Sequence, residues 1–155
     1  MAPVQVSDVV ADVLALVRRE LTERHVAART EFPEDLLPVL GDRVQLQQVL
    51  LNLVMNGIEA MNDVAEGERN LSIHTRRQDH NGRPAVLVSV HDSGVGLKKA
   101  EESRLFEAFY TTKAHGMGMG LAISRSIVEA HGGKLWVTPT VGPGATFEFI
   151  LPVKS

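Results

Sequence analysis

The segment of residues 42–61 constrains this chain more than any other, because it has the pattern of one long and mostly apolar helix. Asp42 stands at the position of an N-cap, and Gln45 follows it at the spacing of a capping box. At about 3.6 residues per turn, the polar side chains fall within an arc of about 80°. This polar stripe consists of Gln45, Gln48, Asn52, Asn56 and Glu59. The pattern predicts a largely buried helix that carries one polar face.

Asn52 and Asn56 need polar surroundings if this helix is buried. A buried amide without a hydrogen-bond partner costs roughly 1–3 kcal/mol. The two side chains therefore either contact a ligand, or bond to neighbouring backbone and only hold the helix in place. From this segment alone, both interpretations stay open.

The composition excludes some classes of binding partner. A chain of 155 residues has the length of one domain, which we expect to span residues 1–155. Its net charge of -3 has no polybasic character, so nucleic acid is not an expected partner. The sequence has no cysteine and no long apolar run, so we expect neither disulfides nor direct contact with a membrane.

Hydrophobic periodicity predicts two further main helices and five strands. The helices are expected at residues 7–23 and 121–131, and the strands at residues 26–32, 71–77, 85–91, 134–138 and 145–151, with residues 38–41 as a connector. Ser7 is the expected cap of the first helix. Asn81 and Gly82 are a strong hairpin turn signal between the second and third strands.

Asp92 follows the third predicted strand directly and is followed by Gly94 and Gly96. A carboxylate at the end of a buried strand, next to glycines that allow close backbone approach, suits the floor of a pocket. A tight loop closed by an Asx-turn would have the same pattern, so a structural role also stays open.

A second glycine row precedes the predicted helix at residues 121–131, at Gly116, Gly118 and Gly120. Backbone N–H groups at the start of a helix form a cradle for anions, although glycine rows also serve flexibility alone. Between the two glycine motifs, residues 105–110 hold three of the seven aromatic side chains, which indicates packing against the core or against a bound ring.

Five segments occur in an order that resembles the ATP-binding catalytic domain of bacterial sensor histidine kinases. They are the amide-bearing helix at residues 52–60, the aspartate-glycine motif at 92–96, the aromatic segment at 105–109, the glycine row at 116–121 and the Gly-Ala-Thr motif at 144–146. The resemblance implies the α+β fold shared with gyrase B, Hsp90 and MutL. That fold is a two-layer α/β sandwich, the Bergerat fold, with about five mixed strands and about three main helices on one face.

The resemblance implies a role for each motif in binding ATP and Mg²⁺. Asp92 would accept a hydrogen bond from the amino group of adenine, with Thr146 beside it as support. Asn56 would give its amide oxygen to Mg²⁺. The family pattern also implies further contacts to the nucleotide, from Gly94, Gly96, Phe106, Phe109 and Leu121.

Contacts to the phosphates are implied as well. Main-chain N–H groups of Gly116, Gly118 and Gly120 would bind them. Lys113, with Thr111 and Thr112 before it, would reach the terminal phosphate from a mobile lid. The expected catalytic set is Asn52, Asn56 and Lys113.

Asn52 bears on whether the reaction is hydrolysis of ATP or transfer of its γ-phosphoryl group. Hydrolytic relatives resemble this chain but carry a glutamate four residues before the magnesium asparagine, and an amide cannot take a proton from water at neutral pH. The resemblance therefore implies transfer of the γ-phosphoryl group to a histidine on a dimerisation and phosphoacceptor domain. The alternatives are a hydrolytic ATPase of the gyrase, Hsp90 and MutL type, and a non-catalytic module that binds nucleotide for regulation.

The phosphoacceptor histidine is not expected on this chain. None of its six histidines is followed by the acidic residue and proline that mark the acceptor helix of the family. The chain therefore resembles the catalytic part of a longer kinase that serves a response regulator. We expect this part to work in the cytoplasm, whether or not the parent kinase is anchored in a membrane.

Overall fold

The computed structural model describes residues 1–94, 120–138 and 144–153. The described helices are α1 (Val6–Leu16), α2 (Arg18–Glu23), α3 (Arg43–Ala60) and α4 (Gly120–Ala130). The described strands are β1 (Ala2–Val4), β2 (Ala27–Glu31), β3 (Val39–Gly41), β4 (Asn70–Arg77), β5 (Ala85–Asp92), β6 (Lys134–Thr138) and β7 (Ala145–Pro152). A short 3-10 helix, Glu66–Glu68, precedes β4.

Five of the strands form one mixed sheet in the order β2-β4-β5-β7-β6. β2 runs parallel to β4, and the other neighbours are antiparallel. One face carries large apolar side chains such as Val88, Val90 and Phe149, each at most 2% exposed, and packs in one core with α1 and α3. The predicted α+β architecture, with a five-stranded mixed sheet and about three main helices, is confirmed.

Helix α3 lies at the centre of the core, as its apolar pattern predicts. Its most buried side chains, each at most 2% exposed, are Leu46, Val49, Leu50, Leu53, Val54 and Ile58. The Asp42 side chain accepts a hydrogen bond from the Gln45 backbone N–H at 3.0 Å, so the predicted N-cap is confirmed. Asn52, in the middle of the polar stripe, faces the start of α4, and Gly57 faces the end of β5.

The predicted hairpin between β4 and β5 is also confirmed. Asn81 and Gly82 have φ angles of 53° and 77°, which is the left-handed pair that a two-residue turn of this kind requires. His80 and Arg83 flank them and exchange backbone hydrogen bonds of 2.8 and 3.1 Å. The register of β5 against β4, and therefore the position of Asp92 at its end, follows from this turn.

The predicted helix at residues 7–23 is wrong in two details. The helix begins at Val6 with Gln5 as a cap that makes no side-chain hydrogen bond, so Ser7 is not the N-cap. It also breaks at Val17, whose φ of -101° and ψ of 9° separate α1 from α2. No side chain of α2 is fully buried, and Leu21 packs against the core only partly buried, so little packing holds α2 in line with α1.

The predicted connector at residues 38–41 contains a strand instead. β3 pairs antiparallel with β1 in a separate two-stranded sheet, and Val39 bridges to Val153 after the last strand. Three-residue strands are too short to show a hydrophobic period, so the sequence does not reveal them.

The helices that the structure describes include none with the length and apolar character to cross a membrane.

Candidate functional site

Asn52 joins α3 to the start of α4. Its Nδ2 donates to the Gly120 carbonyl and to Ser124 Oγ, each at 3.1 Å, and its Oδ1 accepts from Gln48 Nε2 at 2.9 Å. Ser124 is fully buried, and within the described part of the chain Asn52 is the polar partner of its hydroxyl. For Asn52, the structure therefore supports the interpretation in which the amide holds the helices together.

Asp92 lies at the end of β5 with its side chain packed against α3. It is 3% exposed, and its Oδ1 accepts from the Gly94 N–H at 2.8 Å. A Cβ built on Gly57 would lie 3.3 Å from Asp92 Cβ and 3.6 Å from its Oδ2. Asp92 therefore contacts α3 at the residue that directly follows Asn56.

Two glycines let the backbone close around Asp92. A Cβ on Gly94 would lie 2.6 Å from the Ala60 carbonyl oxygen, at the end of α3. A Cβ on Gly144 would lie only 1.8 Å from the Asp92 carbonyl oxygen, and Gly144 also has a φ of 101°. Both positions need glycine because a side chain would strike backbone that cannot move aside.

Ser93 fixes the turn that follows Asp92. Its Oγ accepts from the Asn70 N–H at 2.9 Å and donates to the Glu68 carbonyl at 2.6 Å. Its backbone N–H donates to the Asn70 carbonyl at 3.1 Å. Both the main chain and the side chain of Ser93 therefore hydrogen-bond to the segment that enters β4.

Asn56 is half-buried and lies on α3 between the contacts that α3 makes with α4 and with Asp92. Gly120 is the first residue of α4, and among the described residues only Asn52 comes within 4 Å of a Cβ built on it, at 3.9 Å. The described protein atoms therefore do not require glycine at 120. Leu121 is half-buried and packs against the main core.

The structure does not bring Thr146 into direct contact with Asp92, as the predicted support would need in its direct form. In the pairing of β5 with β7, Asp92 lies opposite Ala145, and Thr146 lies opposite His91. Neighbouring residues of a strand point to opposite faces, so Thr146 faces away from Asp92. Its hydroxyl hydrogen-bonds His91 Nδ1 at 2.8 Å and lines a groove of about 570 Å³ on the open face of the sheet.

Eight of the predicted site residues lie outside the described part of the chain. They are Gly96, Phe106, Phe109, Thr111, Thr112, Lys113, Gly116 and Gly118. The site that the structure does describe therefore consists of the α3 face, the end of β5 and the first turn of α4.

A charged contact lies at the other end of α3. Arg43 Nη2 lies 2.6 Å from Asp12 Oδ2 of α1, and Gln47 Nε2 donates to the same oxygen at 2.8 Å. The hydrogen bond from Arg43, together with that from Gln47, lowers the pKa of the Asp12 carboxyl below its ordinary value, and Asp12 raises the pKa of Arg43. This contact joins α1 to α3 and has no direct part in the site.

Sequence reasoning missed Gly57, Ser93 and Ser124 as parts of the site. The sequence did contain a signal for Ser124, because this residue lies four positions after Gly120 and therefore on the same face of α4. The contacts of Gly57 and Ser93 join segments far apart in the chain, which no local pattern shows.

The chain matches known proteins over nearly its whole length. The family model described as histidine kinase-, DNA gyrase B- and HSP90-like ATPase matches residues 41–155. The sensor protein FixL of Bradyrhizobium diazoefficiens is 43% identical over 130 residues, which cover 84% of this chain and 25% of FixL. The chain thus spans about a quarter of the length of that relative.

Solved structures agree with these matches. The catalytic domain of histidine kinase ThkA is 30% identical with a TM-score of 0.83, and the match covers 98% of this chain and 95% of that domain. Full-length ShkA in complex with AMPPNP is 28% identical with a TM-score of 0.81, over 99% of this chain and 31% of ShkA. The order of motifs, the fold and these matches agree, and the chain belongs to the histidine kinase-, DNA gyrase B- and HSP90-like ATPase family, in its histidine kinase branch.

Proposed function

We propose that this domain binds MgATP between α3 and the start of α4 and transfers the γ-phosphoryl group to a histidine on a separate dimerisation and phosphoacceptor domain. The observation that carries the proposal is that two motifs, at Asp92 and at Gly120, meet the amide-bearing helix α3. Asn52 bonds to Gly120, and Gly57, the residue after Asn56, contacts Asp92. The ATPase family of the chain and the AMPPNP complex of its structural relative ShkA support the binding of a nucleotide.

In this proposal Asp92 recognises adenine. Its carboxylate is buried and is held by the Gly94 N–H, so it has a fixed direction. The exocyclic amino group of adenine can donate to it, whereas guanine has a carbonyl oxygen at that position and would bring two acceptors together. A buried acceptor that meets a second acceptor is strongly disfavoured, so ATP is selected over GTP by orders of magnitude.

The phosphates and Mg²⁺ are assigned to Asn56 and to the start of α4. The amide oxygen of Asn56 suits Mg²⁺, a hard cation that takes its remaining ligands from phosphate oxygens and water. The first turn of α4 begins at Gly120 and offers N–H groups at the positive end of the helix dipole. Gly116, Gly118, Lys113, Thr111 and Thr112 complete the phosphate contacts in the proposal.

The transfer step needs positioning more than covalent chemistry from the protein. The unprotonated ring nitrogen of the acceptor histidine attacks the γ-phosphorus, the bond from this phosphorus to the β–γ bridging oxygen breaks, and ADP leaves with the bonding pair, while the proton on the other ring nitrogen is released to solvent. Asn52 supports transfer over hydrolysis, because its amide has no basic group for water and its nitrogen already donates to Gly120 and Ser124. The phosphorylated histidine then serves a response regulator, in the cytoplasm.

The test is to incubate this domain with ATP labelled at the γ-phosphate and with the dimerisation and phosphoacceptor domain of its parent kinase. We expect label on the acceptor domain and little label released as free phosphate. The control is the same acceptor domain with its phosphoacceptor histidine replaced by glutamine, which should stay unlabelled. Label found only as free phosphate would instead establish a hydrolytic ATPase, and binding of MgATP without either product would establish a regulatory nucleotide-binding module.

A further inference from the structure

His131 directly follows α4 and is 5% exposed. Its Nε2 accepts from the Asp42 backbone N–H at 3.0 Å, and its Nδ1 lies 2.8 Å from the Ile127 carbonyl oxygen. A backbone N–H can only donate and a carbonyl can only accept, so the ring must be neutral with its proton on Nδ1. Both ring nitrogens therefore take part in hydrogen bonds to the backbone.

This ring joins the end of α4 to the start of α3. Asp42 is the N-cap of α3, and its backbone N–H donates a hydrogen bond to His131 Nε2. Asn52 makes the second connection between the same two helices, at Gly120 and Ser124. Asn52 lies ten residues after Asp42, so the two connections are roughly 15 Å apart, and they join both ends of α4 to the start and the middle of α3.

The chain leaves room for the ring at Gly41. A Cβ on Gly41 would lie 3.0 Å from His131 Cδ2 and 2.9 Å from Leu46 Cδ1. A side chain at residue 41 would press on Leu46 and on the ring, so glycine lets the end of β3 pass close to the ring without displacing it.

We propose that His131 is a positioning residue for the nucleotide site, and this inference rests on the proposed function. The site lies between α3 and α4, so the separation between Asn56 and the first turn of α4 depends on how these helices are held. Without an acceptor at residue 131, the Asp42 N–H loses its partner, and of the two polar connections between the helices only the one at Asn52 remains. The fraction of molecules with the binding geometry then falls, and the apparent affinity for MgATP falls in proportion.

The test compares His131→Phe, which keeps a ring but has no nitrogen, with His131→Gln, whose Oε1 can accept from the Asp42 N–H. We expect His131→Phe to raise the Kd for MgATP about fivefold or more, the lower end of the usual range for coupling between distant positions. His131→Gln should stay close to the parent. The matched control is His74→Phe, since His74 is exposed and pairs with Glu31 away from both helices.

A second measurement separates positioning from overall stability. Without nucleotide, amide hydrogen exchange at residues 120–124 should become faster in His131→Phe and stay unchanged in His131→Gln and in the control. A folded His131→Phe with the Kd and exchange of the parent would overturn the inference. If His131→Phe does not fold, Gly41→Ala displaces the ring while keeping its nitrogens, and an unchanged Kd and exchange in that variant would overturn it equally. If the parent itself does not bind MgATP, the proposed function fails, and the exchange at residues 120–124 still decides the role of His131.

Discussion

The contacts of Asn52 predict what a carboxylate would do at this position. In Asn52→Asp, one oxygen can still accept from Gln48, but the other can only accept and would face the Gly120 carbonyl 3.1 Å away. The Ser124 hydroxyl can rotate to donate to the carboxylate, so the loss is concentrated at Gly120. The carboxylate oxygen that faces this carbonyl is a partly buried acceptor without a donor, which costs about 1–3 kcal/mol. Taking about 2 kcal/mol, the midpoint of thermal unfolding should fall by roughly 4–8 °C for a domain of this size.

The assay is urea unfolding of the nucleotide-free domain, followed by circular dichroism at neutral pH and in mild acid. The facing acceptors raise the folded-state pKa of the new carboxyl above its unfolded value. The destabilisation is therefore complete at high pH and disappears below the unfolded value of about 4, where the protonated carboxyl can donate to Gly120 again. The difference between variant and parent should thus shrink as the pH falls.

Gln45→Glu is the matched control, because it makes the same change of charge on the exposed first turn of α3. A negative charge near the start of a helix is neutral or favourable, so we expect no loss of stability in this variant. If Asn52→Asp unfolds at the same urea concentration as the parent and as Gln45→Glu, the hydrogen bonds to α4 do not hold the helices as inferred.

Four further predictions test other contacts. Asp92→Asn should lose most of the preference for MgATP over MgGTP, measured by calorimetry as the ratio of the two Kd values, because an amide can donate to the guanine oxygen. Asn56→Ala should lose the part of ATP affinity that depends on Mg²⁺, measured by the same titration with and without the ion. Gly144→Ala should lower the free energy of unfolding by roughly 2–6 kcal/mol, seen in urea titration, since it places a Cβ 1.8 Å from the Asp92 carbonyl oxygen at a φ of 101°. Hydrogen bonds from Arg43 lower the pKa of Asp12 below its ordinary value of 3.8. Their stabilising effect is therefore present above pH 3.8 and is lost as the pH falls through the lowered pKa of the folded state. The melting temperature of Asp12→Asn should be slightly below that of the parent at neutral pH, and the two should converge in acid.

The local patterns of the sequence were enough to predict the main helices and strands and to identify the family. The apolar period of residues 43–60 predicts α3 because no other structure buries so many of these side chains at once. Asn81 and Gly82 predict the hairpin because their backbone angles are the ones a two-residue turn needs. The same sequence could not show that α1 stops at Val17, because that break depends on how little α2 has to pack against.

The sequence by itself determined the order of motifs, the central helix with its amide stripe, and the aspartate at the end of a buried strand. Only the tertiary structure decided which way the side chains beside these motifs point and which partners they meet. Thr146 shows the reason, because a shift of one residue along β7 moves a side chain to the opposite face of the sheet, and strand pairing alone sets that register. Asn52 and His131 show it again, since their partners lie 68 and 89 residues away in the chain and are brought close only when the two helices pack.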